Sequence, residues 1–97
     1  MGLTNMKIVT ICGNGIGSSL MCKLKIEEIL EEESILGVVV ESSDFNSALS
    51  KGAGLYVSAL ELIEQLPKEV ESVVIRSYVN KKKIKEDVII KIRELLK

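Results

Sequence analysis

The sequence predicts an α/β fold: a single three-layer domain whose four-stranded, open parallel sheet runs in the order 2-1-3-4 with helices on both faces. Three observations predict it. Short β-branched runs alternate with segments of helical period along the whole chain, which reads β-α-β-α-β-α-β-α. The second run, LGVVVE at residues 36–41, is apolar almost without a break, as a strand covered on both faces must be. Right-handed crossovers between successive parallel strands leave an open sheet whose ligand crevice lies beyond the carboxyl ends, where the order reverses, and that point is beside the first strand.

Each element has its own local reason. Residues 7–11, KIVTI, form the first strand, which stops at Cys12; three glycines then fall at Gly13, Gly15 and Gly17, followed by Ser18 and Ser19. A helix is predicted over 19–33, with Leu20, Met21, Leu24, Ile26, Ile29 and Leu30 as a wide apolar stripe. After the second strand, Ser43 and Asp44 are caps for a short helix running through Ser50 and closed by Gly52. Residues 53–57 form the third strand. Ser58-x-x-Glu61 then reads as a capping box opening a helix that Pro67 ends. VESVVIR at 70–76 is the fourth strand, and Asn80 caps a last helix in which Ile84, Val88, Ile92 and Leu95 recur at helical spacing. Residues 1–6 read as a tail ahead of one domain over 7–97.

Composition excludes several classes. Ninety-seven residues allow one buried core and no second. A net charge of −1 and 3% aromatics supply neither the basic field nor the stacking rings of a nucleic-acid binder, so no nucleic-acid partner is expected. No apolar run approaches the roughly 20 residues of a membrane span and the opening residues lack a signal-peptide core, so the expectation is a cytoplasmic domain that does not insert into a membrane. There is no histidine, which removes any Cys-His or Ser-His pair within the chain and every His-containing metal site. The two cysteines, Cys12 and Cys22, fit neither C-x-x-C redox spacing nor a zinc ribbon, and neither metal nor cofactor is expected.

Strand, glycine-rich turn and helix N-terminus are the parts of an anion site, because the glycines let N–H groups converge and those of the first helical turn point the same way. With a thiol at its lip, such a cradle favours a nucleophilic thiolate. Charge placement adds to this. The first helix has Lys23 and Lys25 early and Glu27, Glu28, Glu31, Glu32 and Glu33 late, and the last opens with Lys81, Lys82, Lys83 and Lys85. Both patterns oppose the helix dipole and predict either a positive rim around the thiol or a plain solvated lysine face. A nucleotide P-loop needs a lysine where Gly17 precedes Ser18, and the C-x5-R of tyrosine phosphatases meets Ser18 instead of arginine. The residues thus describe a cradle able to take a phosphoryl group on sulfur and poorly equipped to give it to water. A non-catalytic anion- or nucleotide-binding module using the same N–H groups and Glu41 is the alternative, followed by a low-molecular-weight phosphatase-like hydrolase.

The octapeptide Cys12-Gly13-Asn14-Gly15-Ile16-Gly17-Ser18-Ser19 resembles, position by position, the loop of the IIB components of the bacterial phosphoenolpyruvate-dependent sugar phosphotransferase system, especially the ascorbate-type branch with its C-G-N-G-x-G-S-S pattern. The likeness continues more weakly along the chain, through the short Phe45/Leu49 helix and Arg76 after the fourth strand. It implies a Rossmann-like topology shared with low-molecular-weight phosphatases. It also implies a phosphotransferase in which Cys12 accepts a phosphoryl group from a phosphohistidine of IIA and passes it to a sugar held by membrane-embedded IIC. Gly13, Asn14, Gly15, Ile16, Gly17, Ser18 and Ser19 would bind the phosphate, and the loop pattern suggests ascorbate as the sugar. One departure is Gly54, where related sequences tend to carry Asp. Of the remaining residues, Cys22 and Tyr56 read as core, and Arg76 and Tyr78, which follow a strand at the active edge, read as surface residues or, alternatively, as contacts for IIA or IIC.

Overall fold

The structure is a computed structural model that describes residues 6–12 and 17–96. Its elements are β1 (Met6–Cys12), α1 (Gly17–Glu32), β2 (Val38–Asp44), α2 (Phe45–Ala48) with a 3-10 turn at Leu49–Lys51, β3 (Leu55–Ser58), α3 (Leu60–Ile63), β4 (Ser72–Val74) and α4 (Lys81–Leu96). The four strands pair in the order β2-β1-β3-β4, all parallel, which is the predicted sheet. β1 is therefore central, paired along its whole length with β2 from Met6 opposite Val38 to Cys12 opposite Asp44.

Period-2 alternation on β1 divides the core in two. Ile8 faces one layer, where it joins Cys22, Ile26, Ile29 and Leu30 of α1 and Ile84, Val88 and Ile92 of α4. Val9 and Ile11 face the other, packing with Ala48, Tyr56 and Leu66 and with Phe45, Leu62 and Ile63 from the short helices. The i, i+4 spacing of Ile84, Val88 and Ile92 puts all three on one stripe, and all three are fully buried. Tyr56, 2% exposed, is core as expected.

The boundaries moved for identifiable reasons. α1 starts two residues earlier than predicted and closes with a Schellman motif: the Ile35 N–H donates to Leu30 O at 2.9 Å, the Ser34 N–H to Glu31 O at 3.1 Å, and Ser34 takes a left-handed φ of 57°. That reversal consumes Leu36 and Gly37, so β2 begins at Val38 and then runs on to Asp44 because β1 offers it ladder partners that far. The Asp44 carboxylate caps α2 by accepting from the Ser47 N–H at 2.8 Å, and the 3-10 turn ends at Gly52 with φ 65°, both as the sequence predicts. Asn80 caps α4 through the Lys83 N–H at 3.0 Å. The capping box at Ser58 does not form. The N-cap of α3 is Ala59, with no side-chain cap, because Ser58 is the last residue of β3, fully buried, and its hydroxyl turns toward β1 instead.

Candidate active site

Cys12 is the final residue of the central strand, at the carboxyl edge of the sheet, 7% exposed and outside both apolar clusters. Gly13, Asn14, Gly15 and Ile16, four of the predicted phosphate ligands, lie outside the described residues. Gly17 and Ser18 are exposed in the first turn of α1 and Ser19 is buried there. That turn contains no acidic side chain, so nothing of its own neutralises the positive end of the helix dipole. Strand and helix are fastened on either side of the glycine-rich turn by Thr10, whose buried hydroxyl donates to Ser19 O at 2.7 Å.

A second set of contacts fixes the peptide that leads into Cys12. The Ile11 carbonyl oxygen receives the Ser58 hydroxyl and the Tyr78 hydroxyl, each at 2.9 Å; the two hydroxyl oxygens are 3.0 Å apart, and the Ala59 N–H donates to Tyr78 at 3.1 Å. Tyr78 is therefore not the surface residue its loop position implied. It reaches from the loop after β4 across the end of β3 to β1. The available signal was a pair of hydroxyl residues, Ser58 and Tyr78, at the carboxyl ends of two strands on the side of the sheet where a ligand belongs.

The positive rim is corrected at Lys23, Lys81 and Lys85, which are all engaged in ion pairs. Lys81 pairs with Glu28 at 3.4 Å and also with Glu32, Lys85 with Glu33 at 2.8 Å, and Arg93 with Glu33 at 2.6 Å. Lys81 and Lys85 thus face the acids that end α1 and form an interhelix ladder with them, while Lys82 and Lys83 stand exposed outside it. Hydrogen bonding to Glu32 raises the Lys81 ammonium above its ordinary value, and the hydrogen bond from Lys85 holds the Glu33 carboxyl below its own. On α1 itself, Lys23 is paired with Glu27 at 3.0 Å. Arg76 is committed as well: its guanidinium meets Asp87 and Glu86 at 3.0 and 2.9 Å, and those hydrogen bonds raise it above the usual arginine value. Asp44, opposite Cys12 in the register, spends its carboxylate on the Ser47 N–H, which lowers its titration.

Two other residues are placed away from the chemistry. Cys22 is fully buried on α1, and desolvation pushes its thiol up to about 12, so it packs and does not react. Gly54 precedes β3 at the amino end of the sheet, where its N–H donates to Lys7 O at 2.8 Å. Five residue steps along β1, roughly 16 Å, separate Lys7 from Cys12. The side chain missing at 54 relative to the resembled sequences is therefore at the edge opposite the thiol, and a Cβ there would meet Met6 Cγ at 2.9 Å.

Fold and site together define a class: an open parallel α/β domain that ends its central strand in a cysteine just ahead of a helix N-terminus. Within that class, the chain belongs to the family described as PTS system, lactose/cellobiose specific IIB subunit, whose profile matches residues 7–91. It is also 31% identical over 65 residues to the ascorbate-specific PTS system EIIB component of Mycoplasma pneumoniae, a match that covers 63% of this chain. The match spans 65% of the length of that relative.

Proposed function

We propose that this chain is the cytoplasmic phosphoryl carrier of a sugar phosphotransferase system and that Cys12 is its acceptor. The supporting observation is a cysteine closing the central strand at the carboxyl edge, ahead of a helix whose first turn carries no acid, in a chain of the IIB family. The Cys12 sulfur attacks the phosphorus of a phosphohistidine on IIA; the S–P bond forms, the P–N bond breaks, and its electron pair returns to the imidazole. With no histidine among its 97 residues, the chain depends on the partner for that donor. A hydroxyl of the sugar bound in IIC then attacks the same phosphorus, expelling the thiolate and releasing the hydroxyl proton. The transport path itself belongs, on this reading, to IIC; no described helix of this chain is long and apolar enough to cross a membrane.

Catalysis in such transfers is mainly positioning plus stabilisation of charge on the equatorial oxygens. Backbone N–H groups of Gly13, Asn14, Gly15, Ile16, Gly17, Ser18 and Ser19 would supply both, without metal or cofactor. The carried sugar is proposed to be ascorbate, on the loop pattern and on the relative's name. Intact-mass spectrometry after incubation with phosphorylated IIA tests the proposal. A single phosphoryl adduct, lost in Cys12→Ser and kept in Cys22→Ser, is the expected result, and an adduct that persists in Cys12→Ser would overturn it.

A further inference from the structure

The β1–β3 ladder stops at Thr10 opposite Val57, although the next register step would pair Ile11 with Ser58. In a parallel ladder that step is closed by the Ala59 N–H donating to the Ile11 carbonyl. The Tyr78 hydroxyl stands in that bond, accepting from the Ala59 N–H at 3.1 Å and donating to Ile11 O at 2.9 Å. An oxygen atom interposed between two strands holds their ends apart at the edge where Cys12 leaves the sheet. Ser58 completes the wedge from β3, with its hydroxyl 2.9 Å from the same carbonyl and 3.0 Å from Tyr78. Two hydroxyl protons serve three oxygen–oxygen contacts, so whichever way they rotate, Ile11 O keeps at least one O–H donor.

We propose that Tyr78, supported by Ser58, is a positioning residue for the reaction at Cys12: the inserted hydroxyl splays β1 from β3 and fixes the orientation of the Ile11–Cys12 peptide, and through it the sulfur. This rests on the reading of Cys12 as phosphoryl acceptor. The peptide plane is rigid, so pinning the Ile11 carbonyl also pins the Cys12 N–H and the start of its side chain. Without the bridge, Ala59 and Ile11 are free to close on each other or to take water. The sulfur then shifts by a fraction of an ångström to an ångström, enough to slow an in-line transfer severely.

Tyr78→Phe keeps the ring, which packs against the α1/α4 core, and deletes only the bridging oxygen. The expected result with phosphorylated IIA is a fall of about tenfold in the rate at saturating donor, a KM for the donor within about twofold of wild type, and a folded protein by circular dichroism. Ser58→Ala should lower the same rate in the same direction, and it decides the matter by the same criterion if Tyr78→Phe does not fold. An unchanged saturating rate in a folded variant overturns the proposal, whatever its melting temperature. A donor-free arm separates this failure from that of the carrier reading: alkylation of Cys12 by iodoacetamide at fixed pH should slow in both variants. Slowed alkylation alongside a wild type that takes no phosphoryl group would sink the carrier function and leave the positioning role standing; equal alkylation rates would sink the positioning role.

Discussion

The hydroxyl of Thr10 donates to the main-chain oxygen of Ser19 across 2.7 Å, joining the strand before the glycine-rich turn to the helix after it. Thr10 is fully buried and its oxygen is also 3.4 Å from Glu41 O, so the one side chain ties β1 to α1 and lies against β2. Thr10→Val preserves shape and β-branching while removing the donor. It should cost about 1–2 kcal/mol in urea denaturation and slow the proposed phosphoryl transfer to Cys12 by letting β1 and α1 drift apart. Thr10→Ser, which retains the hydroxyl, should recover most of the rate.

Cys22 gives a pH prediction with a definite sign. Its folded value, pushed up to about 12 from an ordinary 9.0, lies above the unfolded one. The unfolded chain therefore releases the proton first as pH rises. The stability contributed by the neutral buried thiol is whole below about pH 9 and is lost between there and about pH 12, at up to roughly 1.4 kcal/mol per pH unit. Urea midpoints measured on either side of pH 9 should fall more steeply in wild type than in Cys22→Ala, which has no thiol to ionise. In native buffer, iodoacetamide should leave Cys22 unlabelled and reach it only in denaturant.

Strands and layers were legible because β-branched runs and i, i+4 apolar stripes are local signals with few other readings, and the 2-1-3-4 order is the doubly wound arrangement in which right-handed crossovers cover both faces of the sheet. The site was legible only as a position, Cys12 at the end of β1. Ser58 misled because S-x-x-E is a local pattern, whereas the hydroxyl's partners, Ile11 and Tyr78, lie 47 and 20 residues away. The lysines misled for a related reason. Charges counted along one helix do not reveal which helix they face, and the acids late in α1 and the bases early in α4 make sense only as a pair. The proposed ligands Gly13, Asn14, Gly15 and Ile16 lie outside the described residues, so the cradle itself rests on sequence.

That pairing is testable by exchange. Lys81→Glu sets a third carboxylate beside Glu28 and Glu32 and should lower the melting temperature at low salt. Glu32→Lys should do so less, because Glu28 still faces the new cation. The double exchange should regain most of the loss, which neither substitution would do if Lys81 served a rim around the thiol. Raising salt to about 1 M should shrink all three differences, since the groups are solvent-accessible and screened.

Ser34 offers a gain instead of a loss. It occupies the C′ position of the Schellman motif that ends α1, where the chain needs a left-handed residue, and it holds φ 57° with a Cβ in place. The motif is otherwise complete: both reverse hydrogen bonds are made, and Ile35 and Leu30 belong to the same apolar core. Ser34 is exposed, so its side chain contributes little packing to offset the backbone strain. Ser34→Gly removes that strain at the cost of extra freedom in the unfolded chain, and at a left-handed site the first effect is the larger. A stabilisation of about 0.5–1 kcal/mol is expected by urea or thermal denaturation. Ser34→Val, whose β-branch tolerates positive φ poorly, should destabilise. Because the motif sits at the end of α1 remote from Cys12, the proposed phosphoryl transfer should be unchanged in Ser34→Gly, and a loss of rate there would mean that the C-terminal turn of α1 is coupled to the site.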